Sequence, residues 1–135
     1  IESLAAIATL KADNPSWEFP EVDEEGQARF EATGLGHPLI APAVRVTNDA
    51  VVGPPGTALL ITGSNMSGKS TLLRAIGTNV ILALAGGTVR ATQFRVSPFT
   101  VGASIRINDS LHEGSSRFYA EITRLRQLLG SVASR

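Results

Sequence analysis

The chain has 135 residues, no net formal charge, 43% hydrophobic and 18% charged residues, and no cysteine. These values describe at most one folded globular domain and exclude a disordered chain, a disulfide framework and a thiolate metal centre. No apolar run is long enough to cross a bilayer and no charged-then-apolar leader opens the sequence, so a cytoplasmic setting is expected.

The zero net charge hides a polarity. Residues 1–31 carry eight acids against Lys11 and Arg29, whereas residues 69–135 carry nine bases against Asp109, Glu113 and Glu121. The arginines are spread singly with no aromatic residues between them, which reads as solvated surface rather than a nucleic-acid groove.

In chain order, Leu4, Ile7, Ala8 and Leu10 predict a helix over 1–12 that lacks an amino cap, as if cut from a longer one. Asn14-Pro15 ends it, because proline disfavours helical geometry in the residue before it. Trp17 to Glu25 is an acidic connector, and Ala28 to Ala32 alternates as a half-buried strand does. Gly34 to Leu39 is a punctuated loop in which His37, ahead of Pro38, is expected to make a structural hydrogen bond. Val44 to Thr47 reads as a strand ended by Asn48-Asp49, and Gly53-Pro54-Pro55-Gly56 as a tight connection. Thr57 to Thr62 has the length and composition of a buried strand.

Gly63-Ser64-Asn65-Met66-Ser67-Gly68-Lys69-Ser70 then completes the phosphate-loop pattern G-x-x-x-x-G-K-[ST]. Gly63 and Gly68 allow the chain to fold back so that successive N–H groups face one hollow. Lys69 supplies an ammonium to the β- and γ-phosphates, and the Ser70 hydroxyl suits a magnesium shell. Leu72, Leu73, Ile76, Val80, Ile81 and Leu84 follow at helical spacing until Gly86-Gly87, so a helix presents its positive dipole end to the anion. Beyond it, Phe94 to Val96 and Ser104 to Ile107 read as strands. A last helix is expected over 116–129, with Ser115 or Ser116 as amino cap and Phe118, Ile122, Leu125 and Leu129 on one face. Trp17 and Tyr119 read as packing residues and His112 as a surface residue. The whole is an α/β layered domain with a mixed sheet and flanking helices.

Hydrolysis also needs an acidic strand end to hold the metal and a group to orient the nucleophile. No apolar run ending in Asp-Glu follows Ser70, so nucleotide binding is better marked than cleavage. A phosphate-loop ATPase cut short before its acidic (Walker B) strand is expected. A non-hydrolysing nucleotide-sensing or assembly module is the alternative, and a phosphate-loop kinase lacks any marked acceptor pocket.

The residues from Gly34 to Leu129 resemble the MutS family of DNA mismatch-repair ATPases. Gly36-His37-Pro38 is similar to the segment that opens the family's ATPase domain, and Asn48-Asp49 to its Asn-Asp ahead of the phosphate loop. Thr62 to Thr71 resembles the family's T-G-P-N-M-G-G-K-S-T. Asp109-Ser110-Leu111-His112-Glu113-Gly114-Ser115-Ser116-Arg117-Phe118, with Glu121, resembles its D-D-L-x-x-G-x-S-x-F-x-x-E signature. Ser64, Ser67 and Ser110 depart from that pattern. Ser64-Asn65-Met66-Ser67, Phe118-Tyr119-Ala120-Glu121 and Asn14-Pro15-Ser16-Trp17 look more like the MutS-related branch, which typically lacks the mismatch-reading domain and in which upstream membrane attachment occurs.

The resemblance implies the amino-terminal half of an ABC-type, MutS-like P-loop NTPase fold over 34–135, with 1–33 as the end of a preceding helical domain plus connector. It implies ATP and Mg2+ as cofactors, held by Gly63, Ser64, Asn65, Met66, Ser67, Gly68, Lys69, Ser70 and Thr71, with Ser70 on the metal. Val46, Thr47 and Asn48 would lie along the adenine. Asn65 would touch a γ-phosphate or a partner subunit. Ser116 would reach into the partner's nucleotide, so that a homodimer encloses two ATP molecules through its ATPase face. DNA would be met through other parts of the protein.

Overall fold

The computed structural model describes residues 1–103, 119, 122–127 and 130. Two compact units divide the chain, Ile1–Val101 and Gly102–Arg135. In the first, the elements run α1 (Glu2–Asp13), β1 (Glu21–Val22), β2 (Phe30–Leu35), β3 (Asn48–Val52), α2 (Lys69–Leu84) and β4 (Gln93–Val96).

The strands form one mixed sheet in the order β1-β4-β2-β3. β4 pairs antiparallel with β2 through Phe30↔Val96 and Ala32↔Phe94, while β1 runs parallel to β4. Alternation along β2 and β4 sends Phe30, Ala32, Phe94 and Val96 to the buried face, as the two-residue period of a strand requires. Phe30 and Phe94 meet edge to face, with ring centroids 5.4 Å apart at 83°, a favoured aromatic geometry. Glu31 and Arg95 fall on the other face and are salt-bridged to Arg29 and Glu21 respectively.

α2 packs on the buried face. Its covered residues are Ala75, Asn79, Val80 and Ala83, with Leu72, Ile76 and Leu82 partly buried at the margin. The expected apolar face is therefore rotated. Leu73, Ile81 and Leu84 stand in solvent, and the row of Ala75, Asn79 and Ala83 is covered in their place. The helix ends where the glycines predict: Gly86 takes φ +80°, its N–H donates to Ala83 O, and the Gly87 N–H donates to Leu82 O. This paired bonding satisfies carbonyls left over by the last turn.

Three strand expectations change. β2 extends to Leu35 through a bulge between Ala32 and Leu35, where Gly34 takes φ +62° and its N–H donates to Asp49 Oδ1 at 2.8 Å. Asn48-Asp49, read as the end of a strand over Val44–Thr47, instead opens β3, because Asp49 is needed opposite the bulge. Thr57 to Thr62 forms no strand: it has no ladder partner among the described residues, and Leu60 is 84% exposed. β-propensity alone does not make a strand when no neighbour supplies the ladder.

α1 buries none of its residues. Trp17, just after it, is buried as expected, and Lys11 Nζ donates to the Trp17 carbonyl at 2.6 Å. In the second unit, residues 122–127 are helical, in agreement with the expected last helix. Thr123 Oγ1 donates to Tyr119 O at 2.8 Å. Tyr119 is exposed rather than packed, as are Ile122 and Leu125. The strand expected over 104–107, His112 and the signature segment through Phe118 lie outside the described residues. Among the described residues no helix is long and apolar enough to cross a membrane.

Candidate functional site: the loop ahead of α2

The backbone between Gly63 and Lys69 takes the shape its glycines foretell. Gly63 has φ +150°, Met66 +66° and Gly68 +86°. Left-handed residues placed among right-handed ones are the backbone pattern from which concavities of successive N–H groups are built. Room is limited at one end only: a Cβ on Gly63 would meet Ser67 Oγ at 3.0 Å, whereas one on Gly68 would meet nothing within 4 Å. At Gly68 it is the left-handed conformation, not space, that calls for glycine.

Gly68 is the amino cap of α2, with no side-chain cap hydrogen bond. Its carbonyl accepts the Leu72 N–H at 2.9 Å, which starts the helical ladder. The N–H groups of Lys69, Ser70 and Thr71 find no acceptor among the described residues. These are the orphan donors of a helix start, carrying its partial positive charge. Ser70 and Thr71 sit exposed in this first turn, alongside the same donors.

Lys69 folds back over the loop that precedes it. Its Nζ donates to Gly63 O at 2.8 Å and also to Ser64 O, with Ser67 Oγ at 3.4 Å. The ammonium is thus held over the loop by oxygens that an incoming oxyanion could replace. The Ser67 N–H reaches Ser64 O at 3.4 Å, the loop's own weak closure. Asn65 and Met66 form its exposed tip. The loop and the first turn of α2 thus carry backbone donors, an ammonium and hydroxyls, residue types that suit a phosphate chain and, at Ser70, a magnesium ion.

The other expected contributors lie on other segments. Val46 and Thr47 are exposed in the unpaired stretch ahead of β3, and Asn48 opens β3 opposite Leu35. Among the described residues no hydrogen bond joins them to the loop. His37 has the structural role expected of it, since its Nδ1 accepts the Leu39 N–H at 3.2 Å. Ser116 lies outside the described residues, and among those described no three His, Asp or Glu residues gather to hold a metal. A groove of about 490 Å³ on the outer sheet face is lined by Glu18, Glu21, Glu31, Phe19, Gln93 and Arg95. Its three acids repel a phosphate, so it does not compete with the loop.

Asn79 was not anticipated. Fully buried on α2, it donates from Nδ2 to Gly36 O at 3.0 Å and to Ala75 O at 2.7 Å, and its Oδ1 accepts the Arg90 N–H at 2.7 Å. Its signal in the sequence is a polar residue on a row of small residues four apart, Ala75-Asn79-Ala83.

Residues 59–135, which include the whole loop, match the family described as MutS domain V. The chain is 32% identical over 138 residues to the DNA mismatch repair protein MutS of Rhodopirellula baltica, covering 98% of this chain and 15% of that protein. It is 36% identical over 116 residues to the DNA mismatch repair protein MSH6 of Arabidopsis thaliana, covering 80% and 9%. With Endonuclease MutS2 of Thermus thermophilus it shares 37% identity over 107 residues, covering 78% and 14%. The chain therefore spans only 9% to 15% of the length of these relatives. With its loop inside a family match that covers more than half its length, the chain belongs to the MutS family.

Proposed function

We propose that this chain is the ATP-binding portion of a MutS-family ATPase. In the complete protein, dimeric through its ATPase face, it couples Mg-ATP binding and hydrolysis to conformational change in DNA mismatch repair or a related DNA transaction. One observation carries the reading: α2 opens with orphan N–H donors and with a lysine whose ammonium is held by exchangeable loop oxygens. The names of the relatives support the DNA-repair setting.

In this reading the N–H groups from Asn65 to Thr71, with Gly63 and Gly68 shaping the turn, bind the β- and γ-phosphates. Lys69 exchanges the Gly63 and Ser64 carbonyls for phosphate oxygens, and Ser70 contributes a hydroxyl to magnesium. Bound magnesium would neutralise charge on the phosphate oxygens. Val46, Thr47 and Asn48 give the adenine an apolar edge and backbone hydrogen bonds. Ser116 meets the partner's nucleotide.

Calorimetry with Mg-ATP tests the proposal. Lys69→Ala is expected to abolish binding at the loop, and an unchanged affinity would refute it. Phosphate release by the complete protein then separates the ATPase from the alternative, a non-hydrolysing nucleotide-sensing module, which binds without turnover.

A further inference from the structure

Two arginines converge on Gly36, away from the phosphate loop. A Cβ at Gly36 would lie 2.5 Å from Arg45 Cδ and 3.4 Å from Arg90 Cγ. Both stems therefore cross the same small patch of backbone. That patch is framed from below: the Gly36 N–H donates to Arg90 O at 2.8 Å, and the Asn79 carboxamide bonds the Gly36 carbonyl and the Arg90 N–H. Arg45 is anchored as well, its Nε donating to Ile40 O at 2.8 Å, which leaves the terminal nitrogens as the outer edge of its fork.

Among the described residues the side-chain ion pairs are Arg29–Glu31 and Arg95–Glu21, so neither Arg45 nor Arg90 has a carboxylate partner there. Burial, and after it the Arg90 charge, pull the Arg45 pKa below its ordinary value. Two like charges held together raise the energy of the pair, and an anion between them would relieve it. Guanidinium forks match phosphate oxygens in planar, two-pronged hydrogen bonds.

We propose that Arg45 and Arg90, framed by Gly36 and Asn79, form a second anion site that takes a phosphate group. Asn79 is roughly 15 Å along the helix axis from Lys69, and the site does not depend on the ATP-binding reading. The phosphate can belong to a nucleotide or to a nucleic-acid backbone, since both present the same oxyanion to the two forks.

The test follows the arginine Nε–Hε resonances of the chain and of its Lys69→Ala variant during titration with pyrophosphate. The Arg45 and Arg90 signals, assigned by Arg45→Gln and Arg90→Gln, are expected to move together in both proteins. The double Gln variant should weaken this binding about tenfold or more, as loss of charge-assisted hydrogen bonds implies. Arg45→Lys with Arg90→Lys, which keeps the charges but not the forks, should also weaken it and covers the case in which the Gln variant does not fold. Shifts lost in Lys69→Ala, or an affinity that both double variants leave unchanged, would overturn the site. In the Lys69→Ala background, displacement of pyrophosphate by ATP assigns a nucleotide phosphate, and salt-sensitive displacement by a short DNA duplex assigns the backbone. Displacement by neither would overturn the proposal.

Discussion

Asn79 Nδ2 donates to the carbonyl oxygen of Gly36 at 3.0 Å, joining the middle of α2 to a segment 43 residues earlier. The same carboxamide serves Ala75 and Arg90, so both its N–H groups and its oxygen are used inside the core. A buried polar group satisfied in this way fixes one alignment of helix and sheet, because any slip leaves several groups unpaired.

Replacing that side chain should therefore cost more than its size suggests. Asn79→Leu strands the Gly36 carbonyl and the Arg90 N–H in an apolar setting. A loss of about 2–4 kcal/mol is expected, from the penalty for unpaired buried groups. Denaturant unfolding measures it, and an unshifted midpoint would show that the clamp contributes nothing.

Gly68 and Gly86 form a matched pair. Both hold left-handed backbone, at φ +86° and +80°, and neither has an atom within 4 Å of an added Cβ. Alanine at either position should cost about 1–2 kcal/mol of backbone strain. Only Gly68→Ala, at the loop, should also weaken Mg-ATP binding in calorimetry. Equal binding by the two variants would detach the loop from the nucleotide.

Thr88 is fully buried and its hydroxyl has no hydrogen-bond partner among the described residues. Thr88→Val keeps the shape and removes the unpaired group. A gain of about 1 kcal/mol in stability is expected, read as a higher thermal midpoint. A lower midpoint would mean that the hydroxyl is paired in solution.

If Ser116 reaches a partner's nucleotide, the complete protein carrying Ser116→Ala should bind ATP normally but turn it over slowly. Mixed dimers of Lys69→Ala and Ser116→Ala subunits would then place both lesions at one shared site and leave the other intact. About half the wild-type turnover is expected, on independent action of the two sites. Turnover equal to the average of the two parent variants would argue that Ser116 acts within its own subunit.

The turns at Gly63 and Gly68 and the end of α2 were legible because they are local. Gly63, Gly68 and Gly86 specify positive φ where they stand, and Lys69 follows within one turn. Strand β4 was equally plain, since Phe94 and Val96 alternate with polar neighbours. The placement of β3 was hidden: Val44 to Thr47 has strand propensity, but Asp49 is fixed by a bulge amide at Gly34, fifteen positions away. Local composition carries no record of that distant partner.

The sequence by itself determined where the loop ahead of α2 turns and which side chains it carries, because dihedral preference and residue type act within a few residues. Only the tertiary structure decided which face of α2 is covered, that Thr57 to Thr62 stays outside the sheet, and that Arg45 and Arg90 meet at Gly36. Those outcomes depend on which surfaces find a complementary neighbour, and complementarity between segments far apart in the chain exists only once they are folded together.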